Sequence, residues 1–296
     1  MVVESCNSLT RIQGSKSLHY FTGQRWATFK GLRLFLFKFL DLIIIKLADK
    51  IYADSFSQSN FLSKTLKVKK PSVIHYGSLS GVDFNLFNPN LTMLSDLKID
   101  QIEKKRFEVF TDFVNFKKRS KNNTLFGYVG RINKDKGVDL MIKTFKKHLE
   151  KFPLDRLVMI GPIEISKNYF SELIANNNSI LHLDFTFHPN YYYPYFNILL
   201  LPSLREGFGS VLIEAGACGV PAISTKIPGP IDFITHMKNG ILIKKNSRSE
   251  LESALELASK DKNLIKKLGL NAYKKVKEKY SREIISKKFF EKFNII

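Results

Sequence analysis

Apolar and polar positions along this chain fall into two successive series of short apolar runs and helical stripes. In the first, Ser17–Phe21, Lys50–Ala53 and Ser72–His75 read as strands. Leu32–Ala48 and Ser57–Leu66 carry apolar residues at helical spacing. Gly77, Gly81, Pro89 and Asn90 then punctuate the chain, and residues 91–122 are polar and charged, a linker holding one helix. The second series predicts strands at Thr124–Val129, Leu157–Ile160, Ile180–Asp184, Ile198–Leu201, Ala222–Ser224 and Gly240–Ile243. Helices are predicted at Val138–Phe152, Ser166–Asn176, Ser210–Cys218, Ser249–Lys260, Lys262–Lys279 and Arg282–Phe293. Strands alternating with helices predict an α/β fold with parallel sheets and crossover helices. The expected division is a partial Rossmann-like domain over 1–89, a linker and connecting helix over 90–122, and a complete Rossmann-like domain over 123–280. A C-terminal helix, 281–296, is expected to pack back on the first domain.

The Leu32–Ala48 stripe is the most apolar segment, but Arg33, Lys38, Asp41 and Lys46 interrupt it. It also falls short of the ~20 residues needed to span a bilayer. At about 100° per residue Lys30, Arg33, Lys38 and Asp41 gather on one side. Two readings stay open: a helix packed in a domain core, or one dipping into a membrane surface.

The formal net charge of +20 and a pI of about 9.7 favour an anionic partner: nucleic acid, an acidic membrane surface or a phosphorylated substrate. No arginine-rich run, paired Cys/His finger or aromatic motif supports nucleic acid, so none is expected. Two cysteines, Cys6 and Cys218, lie far apart and form no C-x-x-C, which suits a reducing compartment and no structural zinc. Met1–Ser17 lacks the apolar core of a secretory signal.

Three turns that follow strands carry candidate chemistry. Gly130–Gly137 (GRINKDKG) offers a close backbone approach and two cations, Arg131 and Lys136, suited to a diphosphate. Pro202–Ala215 (PSLREGFGSVLIEA) runs from a buried strand through a glycine-rich turn into a helix, whose free N-terminal amides favour phosphate. Glu206 sits in that turn and Glu214 a little way into the helix, where carboxylates beside a phosphate site suit sugar hydroxyls. Pro228–Asp232 supplies a third turn with a carboxylate, weak evidence alone.

Together these segments resemble the retaining GT-B glycosyltransferases of family 4. The resemblance rests on G-R-x4-K-G from Gly130 to Gly137 and E-G-F-G-x4-E-A-x-A-x-G-x-P from Glu206 to Pro221. It runs from about Tyr20 to the end. Phe21–Thr28, Ser78–Asp83, His188-Pro189 and Gly229–Asp232 are similar to members that build capsular, exopolysaccharide and O-antigen units. The resemblance implies a cleft between two Rossmann-like domains. Arg131 and Lys136 would hold the donor pyrophosphate, and Glu214 the ribose hydroxyls. Glu206 would face the donor sugar. Gly130, Gly207 and the amides of Phe208, Gly209, Ser210 and Val211 would line the donor site. Thr22, Gln24 and His188 would border the acceptor side. No Asp-x-Asp occurs in the sequence, which fits a metal-independent mechanism without cofactor. The implied donor is a nucleotide-sugar, a UDP-sugar carrying a hexosyl or N-acetylhexosaminyl group. The implied acceptor is a lipid-linked saccharide or polysaccharide at the cytoplasmic face of a membrane.

Against the family pattern, the first domain is short by roughly three βα units. A sheet lacking strands exposes an edge and an apolar face. The alternative reading is therefore a non-catalytic or split nucleotide-sugar-binding module needing a partner chain. A hydrolase or epimerase on the same fold also stays open. Thr22 falls where many relatives place a histidine. His19, His75 and His182 read as packing or turn residues.

Overall fold

The computed structural model describes residues 17–90, 101–118 and 123–293. Cys6, the Met1–Ser17 reading apart from Ser17, residues 91–100 and 119–122 of the linker, and the last three residues of the expected 281–296 helix lie beyond the described residues. The larger part is a six-stranded parallel sheet, built from β3 (Leu125–Val129), β4 (Arg156–Ile160), β5 (Ile180–Leu183), β6 (Ile198–Leu201), β7 (Ala222–Thr225) and β8 (Ile241–Ile243). Its order is β5-β4-β3-β6-β7-β8. Apart from Ser224 and Thr225 of β7, the strands are apolar at nearly every position because helices cover both faces. Along β4, Leu157 and Met159 face one core while Val158 and Ile160 face the other. The chain winds outward from β3 through β4 to β5, then returns to the other side of β3 with β6. The carboxyl ends of β3 and β6 therefore flank the switch point where open α/β sheets bind ligands.

Helices α4 (Val138–His148), α5 (Lys167–Ile174) and α8 (Arg248–Lys260) close one face. Helices α3 (Gln101–Lys118), α6 (Ser210–Ala217) and α9 (Lys262–Lys279) close the other. Phe110, Phe113 and Phe116 of α3 recur on one helical face and are buried, with Phe113 edge-on to Tyr192 at 5.0 Å. The helix predicted over Val138–Phe152 stops at His148, ahead of Pro153.

A buried network braces the amino ends of these strands. Asp155 accepts the Thr124 N–H at 2.8 Å and the Ser259 hydroxyl at 2.5 Å, and pairs with His148 Nε2 at 2.8 Å. Burial pushes its carboxyl up, but the bonds from His148, Ser259 and Thr124 outweigh burial and hold it below the ordinary value. A depressed folded pKa means stability present above the unfolded value, near 4, and lost as pH falls through the folded one. Asp155→Ala is expected to cost about 3 kcal/mol at pH 7, with the deficit shrinking at the acid end. Urea unfolding at pH 7 and pH 3.5 measures it; an equal deficit at both would refute the coupling.

The smaller part holds β1 (Leu18–Phe21) and β2 (Lys50–Ala53), paired in parallel with Phe21 opposite Ala53. The strand expected at Ser72–His75 is only a single bridge from Ser72 to Tyr52. Pro71 removes a donor before it, and His75 turns the chain at φ 50° just after. Helix α2 (Phe56–Leu66) packs Leu62 and Leu66 beneath the sheet. Helix α10 (Arg282–Phe293) returns to this part: Arg282 pairs with Asp83 at 2.9 Å and Phe293 meets Tyr52 at 5.5 Å between ring centres.

Helix α1 (Gly31–Leu47) has no fully buried residue, but Leu34, Phe37, Leu42, Ile44 and Ile45 pack against the core of this part, so one of its sides is core-packed and the other is open. Its charges partly turn inward. Trp26 Nε1 donates to Asp41 at 2.7 Å, and Lys38 Nζ stands 5.2 Å from the Trp26 ring centre. Leu32 at 82% exposure and Phe35 at 69%, with Leu36, Phe39, Leu40 and Leu47, point outward. Among the described residues no helix is long and apolar enough to cross a membrane.

Candidate functional site

Two loops meet at the switch point, and side chains that the motifs did not single out fasten them. After β3, Asn133 Oδ1 accepts the Lys136 N–H at 3.1 Å and rounds the turn. Leu204 N–H, after β6, donates to the Asp135 carbonyl at 2.7 Å, and Arg205 pairs with Asp135 at 2.7 Å. This seam aims Lys136 at the second loop, where its Nζ lies 2.7 Å from Glu206 Oε1. Both members are largely buried, at 19% and 9% side-chain exposure. The cation assigned to pyrophosphate and the carboxylate assigned to sugar are thus brought together and hold each other.

Arg131 is placed differently. It is 52% exposed and pairs with Glu164 at 3.1 Å, while the Tyr128 hydroxyl donates to its carbonyl. It does not join Lys136 as a clamp. Gly130, just before it, is fixed by its N–H on the Ile160 carbonyl at 2.9 Å.

The second loop enters α6 through Gly209, whose φ of 88° is in the left-handed region that glycine adopts freely. No side chain caps this eight-residue helix, so its first amides, from Ser210 and Val211, stay available to an anion. Phe208 turns its ring into the core against Tyr280, leaving its backbone to the site. Glu214 accepts the Tyr193 hydroxyl at 2.8 Å. Burial raises the Glu214 carboxyl, with bonds from Tyr193 and Ser210 opposing.

The smaller part closes over this loop. Ser55 caps α2 by accepting the Gln58 N–H at 3.2 Å and donates to the Gly207 carbonyl at 3.2 Å. Ser57 N–H donates to Asp232 Oδ2 at 2.9 Å, and Gly229 N–H donates to the Ser57 hydroxyl at 2.8 Å. Gln58 Nε2 donates to the Glu206 carbonyl. Asp232, in the one-turn helix α7 (Pro230–Phe233), therefore receives the first turn of a helix from the other part. The cavity left between the parts is about 210 Å³, lined by Thr22, Asp54, Ser78–Ser80 and Glu206–Ser210.

Thr22 lies on this cavity. Gln24, two positions on, is buried at 3% exposure, and among the described residues neither of its amide atoms is bonded. His188 rests near Tyr191, 5.8 Å between ring centres, and does not line the cavity. His19 packs edge-on to Phe21, and His182 Nε2 bonds the Gly161 carbonyl at 2.9 Å. Among the described residues no group of three or more His, Cys, Asp or Glu could hold a metal. Sequence reading missed Ser55, Ser57 and Gln58, although Ser before a helical stripe is a capping signal.

The fold is shared with known proteins. The sequence profile of the family described as glycosyl transferases group 1 matches residues 110–275. The chain belongs to that family. It is 29% identical over 278 residues to the capsular polysaccharide biosynthesis glycosyltransferase CapM of Staphylococcus aureus, covering 92% of this chain and 68% of CapM. Among solved structures, TarM of S. aureus aligns at TM-score 0.74 and 18% identity, over 97% of this chain and 52% of TarM. HepE of Anabaena, in complex with UDP and glucose, aligns at TM-score 0.71 and 18% identity, over 94% of this chain and 71% of HepE. The family match and these folds make the chain a glycosyltransferase polypeptide of GT-B architecture. It spans two-thirds of CapM and about half of TarM.

Proposed function

We propose that the chain transfers a hexosyl or N-acetylhexosaminyl group from a UDP-sugar to a lipid-linked saccharide or polysaccharide, with retention and without a metal. The observation that carries this is the uncapped α6 N-terminus set beside the Lys136–Glu206 pair at the mouth of a sugar-sized cavity. Helix amides and Lys136 would neutralise the diphosphate, the work a metal does elsewhere. The bond from the anomeric carbon to the phosphate oxygen breaks as the acceptor oxygen attacks from the same face. The acceptor proton passes to the departing phosphate oxygen. HepE, crystallised with UDP and glucose, and CapM, named for capsular polysaccharide, support the donor and acceptor classes.

Calorimetric titration without metal tests the reading. UDP and its glucose and N-acetylglucosamine conjugates are expected to bind in the micromolar range. A folded chain that binds none of them would sink it.

One feature favours a second reading, a module completed by another polypeptide segment. Strand β1 leaves one edge unpaired among the described residues, and the outward face of α1 is apolar beside it. Further βα units would cover both. Sugar transfer by this chain alone would exclude the need for them.

A further inference from the structure

Glu206 is not the only carboxyl on the cavity between the two parts. Asp54 follows β2 directly, and the pairing of Phe21 with Ala53 sets it beside Thr22 at the carboxyl end of the small sheet. Its backbone is fixed from both directions. Its N–H donates to the Phe21 carbonyl at 3.0 Å, and its carbonyl accepts the Ser78 N–H at 2.9 Å. The Asp54 side chain lines the same 210 Å³ space as Glu206 and the first residue of α6.

Asp54 is half-buried, and among the described residues it belongs to no ion pair. Burial raises it to about 6, opposed only by a bond from the Leu79 backbone N–H. A half-buried carboxylate on a cavity wall, met by one backbone donor, has acceptor positions left for a ligand. Phosphate is excluded as that ligand by like charge. Hydroxyl groups are the complement, since a carboxylate oxygen accepts them in short, charge-assisted bonds. The space is also below the ~300–1,000 Å³ of whole-ligand pockets, so it suits one ring of a larger molecule.

We propose that Asp54 accepts hydroxyl hydrogen bonds from the transferred sugar, from the wall formed by the smaller part, and so helps select which sugar the site takes. This rests on the UDP-sugar reading. The nucleotide and diphosphate would stay with α6, Lys136 and Glu214. Asp54 would touch only the sugar.

The test is calorimetry of UDP, UDP-glucose and UDP-N-acetylglucosamine on the wild-type chain, Asp54→Asn and Asp54→Ala, with melting temperatures at pH 8. Both variants are expected to bind UDP within about twofold of wild type. Their affinity for the preferred conjugate should fall about ten- to a hundredfold, the worth of a hydrogen bond to a charged group. Asp54→Asn keeps the acceptor for Leu79 and loses the charge, so its melting temperature should rise. Unchanged conjugate affinity overturns the proposal, as does a wild type that binds UDP and both conjugates equally. A parallel loss of UDP and conjugates with a lower melting temperature would make Asp54 structural and overturn it too. No binding of UDP by the folded wild type would instead fail the donor reading, and this inference with it.

Discussion

Gly207→Ala is expected to abolish sugar transfer while leaving the six-stranded sheet folded. A Cβ at Gly207 would sit 2.0 Å from the Thr22 carbonyl oxygen and 3.1 Å from Asp54 Oδ2. Neither the loop nor the carbonyl has room to yield. Gly23 and Gly229 crowd the same residue, with would-be Cβ positions 3.1 Å from Gly207 N and 2.5 Å from Gly207 O. Three glycine backbones thus stack where the two parts touch, and the Ser55 hydroxyl fastens the stack through Gly207 O. An added methyl can only be accommodated by moving the smaller part away. Overpacking costs about 1–3 kcal/mol, and a misplacement of ~1 Å in a reacting geometry costs ~10²-fold in rate. The joint opening of the Ser55, Ser57 and Gln58 contacts should take the loss well beyond that. Turnover of UDP-sugar, read beside hydrogen exchange of β3 to β8, decides it. Transfer within about threefold of wild type would show that the stack is not needed.

Lys136→Ala should lower UDP affinity by about a hundredfold and also destabilise the chain. Lys136 lies 2.7 Å from Glu206 with both side chains largely buried. Removing the cation strands a carboxylate, at a cost of about 1–3 kcal/mol, because the lost solvation is no longer offset. It also removes the cation paired with Glu206 on the loop that leads into α6, the group expected to meet the leaving diphosphate. The double variant Lys136→Met with Glu206→Gln separates the two effects. Removing both charges should restore most of the stability and none of the binding. Denaturant unfolding paired with calorimetry reads both. Wild-type UDP affinity in Lys136→Ala would remove this residue from the donor site.

The two effects differ in origin, and so does their visibility in the sequence. Lys136 and Glu206 stand in spaced motifs between an apolar run and a helical stripe. Gly207 is also in a motif, but the reason it must be glycine is a carbonyl 185 positions away, at Thr22. Arg131 and Lys136 show the limit of motif reading: Lys136 turns to Glu206 on the loop after β6, while Arg131 goes to Glu164 on the loop after β4. One turn can aim successive charges at different walls, and spacing does not say which.

By itself the sequence determined the α/β alternation, the strands of the larger sheet and the turns at their carboxyl ends. The physical reason is local. Strands buried on both faces must be apolar throughout, helices carry one apolar stripe, and chain reversals need glycine, proline or small polar residues. What only the tertiary structure decided depends on partners distant in the chain. Periodicity showed that α1 has an apolar side, but the Trp26 contacts with Asp41 and Lys38 set which side turns outward. Ser72–His75 has strand-like residues, but Pro71 and the turn at His75 leave it a single bridge. Asp54 has no motif around it and gains meaning only when β2 pairs with β1 and the smaller part closes on Gly207. Such choices follow from which surfaces pack together, a property of the whole fold rather than of any stretch of residues.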